Sequence, residues 1–164
     1  MKKHKENRYV MFVSLGCDKN LVDSEVMLGK LSERGYSFTD DEEEADVAVV
    51  NTCCFIGDAK EESIQNILEM AELKKTGKIS ALIVTGCLAQ RYREEILDEI
   101  EEVDAILGTT AIEQIADAID QALAGKAENY FEDISAPIGE QEEKRIVTTG
   151  GHFSYLKIAE GCDK

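Results

Sequence analysis

The chain has 164 residues, a length that suits one domain with its own core, and it carries 34 acidic against 18 basic side chains for a formal net charge of −16. That charge argues against a surface that binds a phosphate backbone and favours a basic protein as partner. The sequence has five cysteines and no secretory signal, and its apolar run at 9–13 is too short to cross a membrane. We therefore expect a cytoplasmic protein whose reduced thiols serve metal or redox chemistry.

Apolar runs alternate with amphipathic stretches from residue 9 to residue 125. Continuous apolar runs predict buried strands at 9–13, 47–50, 81–84 and 105–107. Apolar spacing of i, i+3 and i+4 predicts helices at 21–34, 59–75, 91–102 and 110–125, the last of them capped by Thr110. The expected fold is α/β, with an open, mainly parallel sheet of four to five strands and helices on both faces, flavodoxin-like or Rossmann-like. A weaker fifth strand is expected at 130–133.

The regular alternation of apolar runs and amphipathic stretches ends after the last predicted helix. The range 135–149 contains the only proline, Pro137, and a run of charged residues, which is typical of a linker. An alternating apolar stretch at 153–159 then predicts the first strand of another unit. We expect a domain at 1–134, a linker at 135–149, and at 150–164 the start of a second, truncated domain.

Three cysteines share one local context. Cys17, Cys53 and Cys87 each follow an apolar run and a small residue, and each precedes a stretch predicted to be helical. In an open parallel sheet these positions meet beyond the carboxyl ends of the strands, where such folds bind ligands. A helix N-terminus lowers the pKa of a nearby thiol, which favours the thiolate that binds metal. Three converging thiolates indicate a metal or iron–sulfur site.

The alternatives to an iron–sulfur site differ in what they require. A structural zinc site needs a fourth cysteine or histidine, and the histidines, His4 and His152, lie near the chain ends. Three ligands with one open position suit a 4Fe–4S cluster with an exchangeable iron. Three buried core cysteines are the competing interpretation, because cysteine is among the most buried residue types. Cys54 follows Cys53 directly, so its side chain points away, and we assign it to packing.

Polar residues near the cysteines are candidates to support the site. Asn20, Asn51 and Gln90 flank cysteines and are candidates to hydrogen-bond ligand sulfurs. Asp23 and Ser24 follow Cys17 closely, and helix capping is the interpretation we favour for Ser24.

Four motifs occur in order along the chain. They are Ser-Leu-Gly-Cys-Asp-Lys-Asn-Leu-Val-Asp-Ser-Glu at 14–25, Val-Asn-Thr-Cys at 50–53, Val-Thr-Gly-Cys-Leu-Ala-Gln at 84–90 and Tyr-Leu-Lys-Ile-Ala-Glu-Gly-Cys-Asp at 155–163. The first three resemble the N-terminal domain of the radical-SAM methylthiotransferases. The fourth resembles the start of the radical-SAM barrel of those enzymes, with Cys162 as the first cysteine of C-x-x-x-C-x-x-C.

The first motif resembles the branch of the family that modifies an aspartate of a small-subunit ribosomal protein; the tRNA-modifying branch more often has Gly-Cys-x-Met-Asn. Two residues depart from that branch: Asp18 stands where it usually has proline, and Cys54 where it usually has glycine. The second departure bears on the number of cluster ligands. A tRNA (adenosine) methylthiotransferase is the runner-up, and a non-catalytic iron–sulfur or flavodoxin-like binding module is the alternative from another class.

The resemblance implies two 4Fe–4S clusters in the full-length enzyme. Cys17, Cys53 and Cys87 would hold the first cluster, which supplies sulfur. Cys162 would contribute to the second, which binds S-adenosylmethionine. Reductive cleavage of S-adenosylmethionine yields a 5′-deoxyadenosyl radical that removes hydrogen from the aspartate β-carbon, and a second S-adenosylmethionine supplies the methyl group. The implied partners are the ribosomal protein and a reductant for the clusters, and this fragment alone is expected to be inactive.

Overall fold

The computed structural model describes residues 8–54, 56–126, 129–131, 145–149, 151 and 153–156. Within these residues a single sheet of five parallel strands runs in the order β2-β1-β3-β4-β5. The strands are β1 (Tyr9–Ser14), β2 (Ser37–Phe38), β3 (Val47–Thr52), β4 (Ala81–Gly86) and β5 (Ala105–Leu107). The helices are α1 (Asp18–Glu33), α2 (Gly57–Lys75), α3 (Cys87–Arg91), α4 (Arg93–Glu99) and α5 (Ile115–Leu123), the last preceded by a 3-10 turn at Ile112–Gln114.

The predicted fold class is confirmed, and the strand order is that of flavodoxin-like folds. Every residue of the two central strands, β3 and β4, is buried, because helices cover both faces of the sheet. Alternate residues of β3 face opposite layers. Val47 and Val49 pack in the cluster that contains residues of α1 and α5, whereas Ala48 and Val50 pack in the cluster that contains residues of α2, α3 and α4.

Several predicted elements have different bounds in the structure. The sheet gains β2, a two-residue edge strand paired with β1, which is too short to show alternation. The helix predicted at 91–102 is the shorter α4 at Arg93–Glu99, and a separate short helix, α3, precedes it at Cys87–Arg91. Tyr92 separates the two helices because its backbone leaves the helical region (φ −120°, ψ 30°). The fourth helix begins at the 3-10 turn, and the N-cap position of that turn is Ala111 and not Thr110.

The C-terminal predictions fall largely on residues that the structure does not describe. Tyr130 forms one parallel bridge to Leu107 in place of the start of a strand. The described part of the predicted strand at 153–159, which is 153–156, has no regular secondary structure. Cys162, most of the predicted linker and most of the predicted second domain lie outside the described residues. In the ranges that are described, no helix has both the length and the apolar character needed to span a membrane.

Tyr36 joins the end of α1 to α5 by donating a hydrogen bond from its hydroxyl to Asp120. Burial, together with the hydrogen bond to Asp120, raises the pKa of Tyr36 to about 12. The stabilisation is therefore present below the usual tyrosine pKa of ~10 and is lost as the pH rises from there through the folded pKa.

We expect Tyr36→Phe to lower the free energy of unfolding by about 1 kcal/mol at neutral pH, because one hydrogen bond to a partly exposed carboxylate is lost. Urea unfolding across the alkaline range checks the assignment. The wild-type chain should lose stability between about pH 10 and pH 12 more steeply than the Tyr36→Phe variant. Parallel curves for the two proteins would contradict this role.

Candidate metal centre

The three cysteines singled out by sequence follow three adjacent strands. β3 lies between β1 and β4, with Ser14 of β1 opposite Asn51 and Thr52 opposite Gly86. The strands are parallel, so their carboxyl ends share one edge of the sheet. Cys17, Cys53 and Cys87 come within three residues of those strand ends and therefore lie at that edge.

The local environments of the three cysteines are not identical. Cys17 occupies the N-cap position of α1 and is exposed. Cys87 is the first residue of α3 and is partly buried. Cys53 is 4% exposed and adjoins no helix, because α2 starts only at Gly57. The helix predicted after Cys53 is present, but it begins four residues later, so its N-terminus does not adjoin this thiol.

Two glycines let the cysteine-bearing turns approach each other. Gly16 and Gly86 have φ of +95° and +96°, in the region that favours glycine. A Cβ on Gly16 would lie 2.5 Å from the Cβ of Cys53 and 2.8 Å from its Sγ. A Cβ on Gly86 would overlap the carbonyl oxygen of Thr52. The absence of these two side chains therefore keeps the Cys17 turn against Cys53 and the Cys87 turn against β3.

The pKa of the Cys87 thiol depends on burial and on the other cysteines near it. Burial, with smaller contributions from the charges of Cys54, Cys53 and Cys17, raises the pKa of Cys87 to about 11. The prediction that a helix N-terminus lowers the thiol pKa is therefore wrong here, because desolvation dominates. In the metal-free protein Cys87 is a protonated thiol at neutral pH, and binding a cationic centre would release its proton.

Two buried asparagines connect the turns that carry Cys17 and Cys53. Asn20 Nδ2 donates to the carbonyl oxygens of Leu15, at 2.5 Å, and Thr52, at 3.1 Å. Asn51 Nδ2 donates to the carbonyl of Asn20, at 3.0 Å, and to Ser24 Oγ, at 2.8 Å. Both amides thus direct their N–H groups at protein oxygens, and they act on the site by fixing its backbone.

The other polar candidates have different roles. Gln90 Oε1 accepts a hydrogen bond from the backbone N–H of Thr109, so it ties α3 to the segment after β5. Ser24 lies within α1 and bonds to the hydroxyl of Ser14 at 2.6 Å. Helix capping by Ser24 is therefore ruled out, and the side chain belongs to the buried network below the cysteines.

Sequence reasoning missed two hydroxyl groups that hold the site. Ser63 of α2, fully buried, accepts from the Cys53 N–H and donates to the Cys53 carbonyl, both at 2.9 Å. Thr52 Oγ1 donates to the carbonyl of Thr85 and accepts from the N–H of Ala89, two residues after Cys87. A small polar residue one turn before the buried Ile67 of α2 was the available signal for Ser63.

The three cysteines are donors of the kind that iron–sulfur clusters use, since such clusters are held by cysteine thiolates that bind separate irons. Cys17, Cys53 and Cys87 are free thiols at one sheet edge, and glycines stand where side chains would fill the space between the turns. In the part of the chain that the structure describes, no group of three or more His, Cys, Asp or Glu side chains is arranged to hold a single metal ion.

Removing the amide donors of Asn51 tests the buried network. We expect Asn51→Asp to lower the free energy of unfolding by about 3 kcal/mol in the metal-free chain, because a buried carboxylate would face the Asn20 carbonyl and lose both hydrogen bonds. Asn66→Asp on α2 is the matched control and should change stability by less than about 0.5 kcal/mol. Equal urea midpoints for the two variants would count against the network.

Comparison with known proteins shows the family of the chain. A model of a family described as uncharacterized protein family UPF0004 matches residues 9–108, which include all three cysteines. The chain is 62% identical over 155 residues to a protein of Lachnoclostridium phytofermentans, 50% identical over 151 residues to one of Desulforamulus reducens, and 42% identical over 159 residues to one of Bdellovibrio bacteriovorus.

Each of these three relatives is named ribosomal protein uS12 methylthiotransferase RimO. The matches cover 94%, 92% and 97% of this chain but only 35%, 34% and 35% of the relatives. The chain therefore spans about a third of the length of the curated relatives it matches.

Proposed function

This chain belongs to the UPF0004 family, and from that premise we propose that it forms the N-terminal iron–sulfur domain of a radical-SAM methylthiotransferase. The proposed enzyme adds a methylthio group to the β-carbon of an aspartate in the small-subunit ribosomal protein uS12, in the cytoplasm. The observation that carries the proposal is the set of three cysteines at the carboxyl edge of three adjacent parallel strands, in a chain 62% identical to a uS12 methylthiotransferase.

Cys17, Cys53 and Cys87 would hold a 4Fe–4S cluster in this domain, and Cys162 would be the first ligand of a second cluster that binds S-adenosylmethionine. When bound, the clusters supply electron transfer and the sulfur that is inserted. The protein's own contribution is orientation. Ser63 fixes both backbone polar groups of Cys53, while Asn20 ties the Cys17 turn to the strand before Cys53.

The exposure of the cysteines gives the site one open and one closed side. Cys17 is exposed, whereas Cys53 is buried against the sheet edge and α2. A substrate would therefore approach from the Cys17 side, and the protein would exclude water from the Cys53 side.

The charge of the chain supports a protein substrate over tRNA. A formal net charge of −16 attracts a basic ribosomal protein and repels a phosphate backbone. The proposed partners are thus uS12 and a reductant for the clusters.

Mass spectrometry of uS12 from cells that lack the gene tests the proposal. The aspartate should lose its methylthio group in those cells and regain it when the full-length protein is restored. An unchanged modification would rule out the substrate, and loss of a tRNA methylthio group in its place would favour the runner-up enzyme.

A further inference from the structure

Glu25 is a carboxylate buried in the middle of α1. Its side chain is 1% exposed, and the groups that satisfy it come from more than a hundred residues away. Arg145 Nε lies 2.7 Å from Oε2 of Glu25. Thr148 donates to Oε1 from its backbone N–H at 2.7 Å and from its hydroxyl at 2.9 Å. The backbone N–H of Ile146 donates to the Glu25 carbonyl at 3.1 Å.

These contacts are needed to offset the burial of a charge. A buried carboxylate without partners is strongly unfavourable. Burial raises the pKa of Glu25, but the hydrogen bonds from Thr148 and the charge of Arg145 outweigh burial and leave the pKa below its usual value. The carboxylate is therefore ionised at neutral pH and holds Arg145 and Thr148 against α1. This part of the predicted linker is docked on the domain.

The docked residues lie beside the helix that starts at the metal centre. α1 begins directly after Cys17, and Ser24, next to Glu25, accepts from the Asn51 amide of the buried network. Thr148 also lines a cavity of about 260 Å³ together with Ser14 and Ser24, which belong to that network. One helix thus contacts the cysteine-bearing turns through its first two turns and holds the departing chain at its middle.

We infer that Glu25 is a positioning residue: by holding Arg145, Ile146 and Thr148 on α1, it fixes where the chain leaves this domain relative to Cys17. The effect of this docking on the reaction rests on the proposed function. Cys162 follows Thr148 by 14 residues in the sequence, so the Glu25 contacts would limit where the cluster that cleaves S-adenosylmethionine can lie relative to the sulfur-donating cluster. The docking itself depends on no cofactor and can be measured alone.

Amide hydrogen exchange on the 164-residue chain tests the docking. Glu25→Met keeps a helix-forming side chain of similar volume but removes the charge and both acceptor oxygens. We expect exchange at the amides of Ile146 and Thr148 to become at least about tenfold faster. Thr148 loses its charged acceptor, and Ile146, whose acceptor is the Glu25 backbone carbonyl, is no longer held against α1 by the neighbouring side-chain contacts. The Leu31 amide of α1 should keep its protection. Glu61→Met, at an exposed site of α2, is the matched control and should leave all of these amides unchanged.

If Glu25→Met fails to fold, Arg145→Ala tests the same contact without altering α1. Faster exchange at Ile146 and Thr148 in that variant supports the docking. Wild-type protection of both amides in a folded Glu25→Met or Arg145→Ala variant would overturn it.

The positioning role is measured in the full-length enzyme, as the ratio of 5′-deoxyadenosine formed to methylthiolated uS12. We expect Arg145→Ala to raise this ratio at least about fivefold, with unchanged iron content and unchanged visible absorption, because radical formation proceeds but transfer is misaligned. Arg145→Lys keeps the charge and should restore the ratio most of the way. A wild-type ratio in Arg145→Ala would overturn the positioning role. A wild-type enzyme that leaves uS12 unmodified would overturn the proposed function, and the exchange result would stand separately.

Discussion

Alanine at Cys17, Cys53 or Cys87 is expected to leave the chain unable to hold a cluster after anaerobic reconstitution with iron and sulfide. Each cysteine follows one of three adjacent strands, so each substitution removes one sulfur donor from that edge of the sheet. With two thiolates remaining, we expect the bound iron and acid-labile sulfide to fall to near zero and the visible absorption to disappear. Circular dichroism of the metal-free variants checks that the fold is retained.

Cys54→Ala is the matched control for that experiment. Cys54 is half-buried and packs against the core on the α2 side of the sheet, so its loss should leave the iron and sulfide content at the wild-type level. Its charge does act on Cys87, and a loss of the cluster in this variant would mean that the ligand set includes Cys54. Cys162→Ala should be silent in the 164-residue chain, because one cysteine cannot hold the second cluster.

The second large effect is expected at Gly86. Its backbone (φ 96°, ψ −166°) lies in a region that only glycine adopts readily. A Cβ there would lie 2.5 Å from Asn51 Oδ1 and 2.7 Å from the Thr52 nitrogen, in addition to its overlap with the Thr52 carbonyl. We expect Gly86→Ala to lower the free energy of unfolding by about 3 kcal/mol or more, measured by urea denaturation of the metal-free chain.

Gly77→Ala is the control that measures the cost of a positive φ without the close contacts found at Gly86. Gly77 also has a positive φ, +78°, but a Cβ there would meet no atom within 4 Å. Its replacement should cost about 1 kcal/mol, the cost of a left-handed backbone alone. Equal costs at the two glycines would show that the close approach of the Cys87 turn to β3 does not matter for stability.

The sequence was sufficient to predict the sheet and the edge that carries the cysteines. Continuous apolar runs identify β3 and β4 because both of their faces are buried, and a buried strand allows few polar residues. The cysteines could be assigned to one edge because parallel strands share their carboxyl ends. That inference needs only the order of strands and helices along the chain. The order follows from the alternation of continuous apolar runs with stretches of helical apolar spacing.

Features set by distant partners could not be predicted. β2 exists because two residues pair with β1. A two-residue strand is too short to show the alternation of apolar and polar residues that predicts a strand. Ser63 looks like an ordinary helical residue until α2 packs beside Cys53. Glu25 looks like an exposed acidic residue of a helix, since the groups that bury and satisfy it are Arg145 and Thr148. In each case the information lies in a tertiary contact and not in the local sequence.

The two-cluster account predicts a division of labour between the cysteines of this domain and those of the radical-SAM segment. In the proposed enzyme, Cys17, Cys53 and Cys87 would serve sulfur insertion, and the site containing Cys162 would serve cleavage of S-adenosylmethionine. Sulfur insertion and cleavage should therefore be separable by substitution in the full-length enzyme.

Quantifying 5′-deoxyadenosine and methylthiolated uS12 from the same reaction of the full-length enzyme with Cys17→Ala is the most direct test. The account predicts that 5′-deoxyadenosine is still formed while no methylthio group appears on the aspartate, and that Cys53→Ala and Cys87→Ala behave alike. A folded variant that retains wild-type methylthiolation, or one that loses 5′-deoxyadenosine formation as well, would contradict it.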